Sequence, residues 1–264
     1  MGESLSVGGW RLATASVVGT SHQRSGGSCQ DAHSSVVLDL CGEKVLVAMV
    51  SDGAGSAECG GEGAAFVCAR MQEQIVTWLH TGHTVGELSR DFVIFLIECC
   101  RNELAEHASQ MGRGLRDFAC TLVGAVVAHD VAAFMQIGDG CIVIRPAGET
   151  DHQWVFWPDR GEYENTTYFV TSFDAINHLS FTVANGMLIE LAIFSDGLQR
   201  LALDLNLQIP YAGFFKGIFE PLASFSDDSP TDLSASLAAF LASDRINNRT
   251  DDDKTLILAS RNIY

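Results

Sequence analysis

Short, almost wholly apolar runs that stop at an aspartate followed by glycine recur along this chain, and no other feature constrains its fold as strongly. Val45 to Val50 runs into Ser51-Asp52-Gly53, Ala132 to Ile137 into Gly138-Asp139-Gly140, and Leu188 to Phe194 into Ser195-Asp196-Gly197. Runs of this length closed by turn formers read as buried strands. The mirrored order occurs twice, with Asp31 ahead of Val36-Val37-Leu38 and Asp251-Asp252-Asp253 ahead of Thr255 to Ala259. Acidic residues therefore gather at strand ends.

Gly61 to Leu79 and Gly86 to Gln110 carry apolar residues three and four apart, which predicts two long helices. Further strands are predicted over Arg11 to Val18, Ala119 to Ala128 and Cys141 to Ile144, with His129-Asp130 as a hairpin turn. Strands near both ends, with helix pairs after the third strand and around Gly213 to Leu241, predict an α+β sandwich of two antiparallel sheets covered by helices. No low-complexity linker, charge block or repeat divides the sequence, so residues 1–264 are expected to form one domain. Residues 146–180, rich in Trp, Tyr, Asn and Thr and less periodic, predict a flap-like excursion over the surface.

With 33 acidic against 16 basic residues, the formal charge of -17 repels phosphate backbones and anionic lipid, which argues against nucleic-acid and membrane partners. The opening residues lack a basic segment followed by an apolar one, and no apolar run approaches the roughly 18 residues that span a bilayer. A cytoplasmic protein is expected. Eight cysteines, none in C-x-x-C spacing, read as small core residues in a reducing compartment rather than zinc ligands.

One Asp-Gly pair is most simply a turn or a helix cap. Repetition at strand ends changes that balance, because carboxylates gathered at one sheet edge repel one another and require a cation. Oxygen ligands alone select hard ions, Mg²⁺ or Mn²⁺. The run Asp251 to Asp253 lacks the glycine and distant glutamate of an EF-hand, which removes the commonest calcium reading. No nucleophile elbow, dinucleotide fingerprint or P-loop lysine is present, so hydrolysis assisted by metal leads.

Taken in order, CQDAHSS, VSDGAGS, CTLVGAVV with QIGDG, FSDGL and TDDDKTLILA resemble the successive motifs of the PPM family, the metal-dependent type 2C protein serine/threonine phosphatases. Gly19-Thr20-Ser21-His22 and the segment RGEYENTTYFVTS are similar to a bacterial branch. The resemblance implies a four-layer α-β-β-α sandwich with two Mn²⁺ or Mg²⁺ ions between the sheets. By position, Asp52 would bridge both ions and the Gly53 carbonyl would hold one of them. Asp196 and Asp252 would hold the other, and these three aspartates would be the catalytic set. Asp252 is chosen over its neighbours because the family's ligand lies three positions before the Thr or Ser that opens the last strand. Asp31 would act through metal-bound water, and Asp139, with Asp196, would bind a third ion. A water bridging two ions would then attack phosphorus in line.

Two departures stand out. Where many members carry a phosphate-gripping arginine this chain has Gly26, and where animal members carry a histidine after the bridging Asp-Gly it has Ala54. His22 or Arg24 is the expected substitute for phosphate binding. The expected function is dephosphorylation of phosphoserine and phosphothreonine on proteins, with a partner serine/threonine kinase as a source of substrate. The rival is a metal-binding pseudophosphatase that works as a regulatory binding module.

Overall fold

The computed structural model describes residues 7–158, 167–224 and 230–263. Its strands are β1 (Val7–Val17), β2 (Asp31–Leu40), β3 (Glu43–Asp52), β4 (Leu122–Val127), β5 (Val131–Ile137), β6 (Cys141–Pro146), β7 (Gln153–Trp154), β8 (Ser180–Asn185), β9 (Leu188–Phe194), β10 (Leu203–Asp204), β11 (Ile209–Pro210) and β12 (Lys254–Ile263). Its helices are α1 (Thr20–Ser25), α2 (Gly60–His80), α3 (Arg90–Gln110), α4 (Gln199–Ala202), α5 (Ala212–Ser224), α6 (Pro230–Leu241) and α7 (Asp244–Asn247).

Two five-stranded sheets form, in the orders β1-β12-β9-β6-β7 and β2-β3-β4-β5-β8, and each neighbouring pair is antiparallel. The apolar runs are continuous rather than alternating because both faces of each sheet are covered. In β3, Leu46, Ala48 and Val50 turn toward the other sheet, while Val45, Val47 and Met49 turn toward α2 and α3. In β9, Leu191 and Ile193 face the first sheet's partner, while Ala192 and Phe194 meet Phe215 and other apolar residues of the helical layer. The expected four layers are present, with apolar cores beneath α2 and α3, between the sheets, and beneath α5 and α6.

Element boundaries differ from expectation where local caps intervene. The helix expected from Gly86 starts at Arg90, because Thr84 and Glu87 close a short 3₁₀ turn as a capping box and Ser89 then accepts the Phe92 amide. Residues 146–180 are only partly the surface excursion expected. Residues 159–166 lie outside the described residues, as does the start of RGEYENTTYFVTS. Beyond them Val170, Ala175 and Leu179 bury against the α2 and α3 layer. Their spacing follows neither a strand nor a helix period, which is why the sequence gives no sign of it. Among the described residues, no helix is long and apolar enough to cross a membrane.

Candidate metal centre

The register of β2 against β3 pairs Asp31 directly with Asp52. Beyond Asp52 the chain is held by backbone contacts, with the Gly53 amide donating to the Gln30 carbonyl and the Ala54 amide to the Ala119 carbonyl. A side chain on Gly53 would meet the Gly60 carbonyl carbon at 2.3 Å and the Gln30 oxygen at 2.7 Å, so only glycine lets the strand leave here. Asp196 follows β9 and opens a 3₁₀ turn, Asp196–Leu198. The two sheets thus deliver their aspartates to a common edge.

A cleft of about 260 Å³ opens there, lined by Asp52, Asp139, Asp196, Asp252, His22 and Phe169 among others, with Gly53 and Ala54 at its base. Asp31 lies behind it, buried, where its Oδ2 accepts a 2.6 Å hydrogen bond from Ser195 Oγ. Ser195 Oγ in turn accepts from the Thr255 amide at 3.0 Å within its own sheet, so the Ser195–Asp31 bond ties the two sheets together beneath the site.

The carboxyls are strongly perturbed. Burial is the largest cause at Asp52, and the charges of Asp31, Asp196 and Asp252 add to it, so its carboxyl stands well above the usual range. Asp196 is pushed up to about 7, first by burial and then by Asp139 and Asp252. Asp31 is raised to about 6 by burial, against the opposing hydroxyls of Ser195 and Thr255. Asp252 is the most exposed of the set, yet burial of its carboxyl still raises it. Asp52 is the register partner of Asp31 and shares the cleft lining with Asp139, Asp196 and Asp252. Carboxyls gathered around one cleft need a proton or a cation to relieve their repulsion.

The aspartates of the last turn divide their work. Asp252 lines the cleft, whereas Asp253 turns inward and is 3% exposed. Asp253 Oδ1 accepts the Gly19 amide at 2.6 Å, and its Oδ2 accepts the Gln30 amide at 2.5 Å and meets His22 Nδ1 at 3.0 Å. This hub fixes α1 against the site, a role that no motif signals in a run of three identical residues. Asp139 is held similarly: Thr167 Oγ1 donates to its Oδ2 at 2.6 Å, Gln199 Nε2 reaches its carbonyl at 2.5 Å, and Gln136 Nε2 donates to the flanking Gly138 and Gly140 carbonyls.

Of the two expected phosphate-binding residues, His22 lines the cleft, while Arg24, on the same helix, is exposed and not part of the lining. Gly26 is the left-handed C-cap of α1, with φ at 74°. An arginine there would be strained, and glycine is the residue that suits this left-handed cap.

The acidic side chains lining the cleft offer oxygen atoms, which would suit a hard divalent ion. Among the described residues, no three or more Asp, Glu, His or Cys side chains stand close enough together to hold a metal ion by themselves. An ion of this kind ordinarily completes its shell with water and substrate phosphate, which an open cleft permits.

Comparison with known proteins agrees with this architecture. Residues 18–242 match the family model for protein phosphatase 2C. The chain is 37% identical over 255 residues to serine/threonine-protein phosphatase 3 of Escherichia coli (strain K12), covering 95% of this chain and 98% of that one. A bacterial serine phosphatase of known structure superposes with a TM-score of 0.65 at 14% identity, covering 96% of this chain and 97% of that one. Serine/threonine phosphatase Stp1 from Staphylococcus aureus superposes with a TM-score of 0.59 at 16% identity, over 98% of this chain and 96% of that one. The two structures share the fold, and the sequence match carries the lineage: the chain belongs to the protein phosphatase 2C family.

Proposed function

We propose that this serine/threonine phosphatase uses the aspartate-lined cleft as its active site and depends there on two Mn²⁺ or Mg²⁺ ions. The observation that carries the reading is that Asp52, Asp139, Asp196 and Asp252 line one open cleft, with Asp31 the register partner of Asp52 behind it. Such an arrangement costs stability unless it serves a cation.

Asp52, Asp196, Asp252 and the Gly53 carbonyl would hold the ions, with Asp31 acting through an intervening water and Asp139 available to a third ion. When bound, the ions would acidify coordinated water and neutralise charge on the phosphoryl oxygens. The chain's own residues do the rest. His22 is the one basic side chain among the described residues lining the cleft. Asp253 fixes its ring through Nδ1, which leaves Nε2 to meet the phosphoryl oxygens. Ser195 holds Asp31 in place from behind. The substrates would be phosphoserine and phosphothreonine on proteins, with a cytoplasmic serine/threonine kinase as their source.

Asp52→Asn in purified protein tests the reading. Turnover of a phosphothreonine peptide with Mn²⁺ should fall by about 100-fold or more, the scale of losing a group that organises the reacting atoms. Retention of full Mn²⁺-dependent activity would refute it.

A further inference from the structure

Thr167 and Phe169 line the cleft although they belong to neither sheet. Their stretch of chain is held from behind by several ties. The Val170 amide donates at 2.8 Å to the carbonyl of Cys120, the residue bridged to Gly53, and the Val170 side chain is buried. The Ser172 amide closes a turn onto the Phe169 carbonyl at 3.0 Å. The remaining tie comes from a different element. Arg101, near the middle of α3, donates from Nη1 to the carbonyls of both Val170, at 2.6 Å, and Ser172.

Partial burial disfavours the Arg101 charge. A methionine on this face of α3 would pack without that cost, so the guanidinium is offset by the carbonyls it grips. What it grips is the turn whose first residues form the cleft wall. Displacement of that turn would move Phe169, and Thr167 with its bond to Asp139, while leaving Asp31 and Asp52 on β2 and β3 and Asp196 and Asp252 in their own turns.

We propose that Arg101 is a positioning residue for substrate recognition, fixing the Thr167–Phe169 wall so that residues flanking a phosphorylated side chain meet Phe169 in one orientation. The inference rests on the phosphatase activity of this cleft. It predicts a loss confined to binding, since Arg101 touches none of the carboxylates described above.

The test compares wild type, R101M, F169A and the double variant, with Mn²⁺, on a phosphothreonine peptide and on p-nitrophenyl phosphate, which has no flanking residues. In R101M the peptide KM should rise about fivefold with kcat within about twofold, and KM for p-nitrophenyl phosphate should stay nearly constant. F169A should raise the peptide KM similarly, and combining the two should add little, because both remove one contact. If R101M does not fold, R101Q, which keeps a donor but loses the reach, stands in the same comparison. An unchanged peptide KM beside a lowered Tm would overturn the proposal, as would equal KM increases for both substrates or additive effects in the double variant. Wild-type protein without Mn²⁺-dependent turnover of either substrate would instead remove the phosphatase reading, and this proposal with it.

Discussion

Asp31 and Asp52 are register partners where β2 and β3 open into the cleft, so the hydrogen-bonding pattern of one sheet brings two carboxyls face to face. Like charges in that position oppose folding. The site is therefore built at the expense of stability, and its pH behaviour should reveal this.

Asp31 and Asp196 rise from 3.8 to about 6 and about 7. The folded chain then holds more protons than the unfolded chain from about pH 4 to pH 7, and stability falls as pH rises through that window. Thermal melting in chelator should give a Tm that declines between about pH 4 and pH 7. Mn²⁺ should flatten the decline, since a cation takes over from the protons. Parallel curves with and without Mn²⁺ would contradict a metal role for these carboxyls.

Gly53→Ala should destabilise the protein by about 2–3 kcal/mol, because its added carbon has only backbone to push against. Urea unfolding checks the value. A change below 0.5 kcal/mol, the range of an ordinary surface substitution, would mean that the Gly53–Gly60 contact relaxes freely.

Asp253→Asn replaces a carboxylate that serves three donors. The loss should be about 2 kcal/mol of stability together with a higher KM for phosphopeptide, as His22 loses its support. Isothermal titration should find Mn²⁺ affinity within a few-fold of wild type. A collapse of Mn²⁺ binding would instead make Asp253 part of the ion site.

Away from the cleft, Glu190 is buried and accepts a bidentate pair of bonds from Arg145 and a third from His152. Burial alone would raise its carboxyl, but these partners win and hold it down at about 2. Its contribution to stability is thus present above pH 4.5 and is lost only as pH falls toward 2. Arg145→Ala should cost about 3 kcal/mol by urea unfolding at neutral pH, because it strands a buried charge. Activity per folded molecule should be unchanged, and a selective loss of activity would show this triad coupled to the cleft.

Much of the fold was readable because apolar runs buried on both faces need no partner information to be recognised, and Ala132 to Ile137 and Leu188 to Phe194 coincide with β5 and β9 to within a residue. The five motifs carried the family, and they singled out the aspartates that the cleft gathers. Less was readable where a residue's meaning depends on its neighbours in space. His22 and Arg24 are two positions apart on a six-residue helix, and only packing decides that one lines the cleft and the other faces solvent. Arg101 looks in sequence like any polar residue of an amphipathic helix.

By itself, then, the sequence determined the long apolar strands, the two long helices and which carboxylates stand at strand ends, because apolar periodicity and turn chemistry are local properties. The tertiary structure alone decided that Asp31 opposes Asp52, that Asp253 turns inward while Asp252 faces the cleft, and that α3 holds the Phe169 wall. These relationships arise from sheet register and from contacts between residues far apart in the chain. They exist only once burial of the apolar faces has fixed how the layers stack.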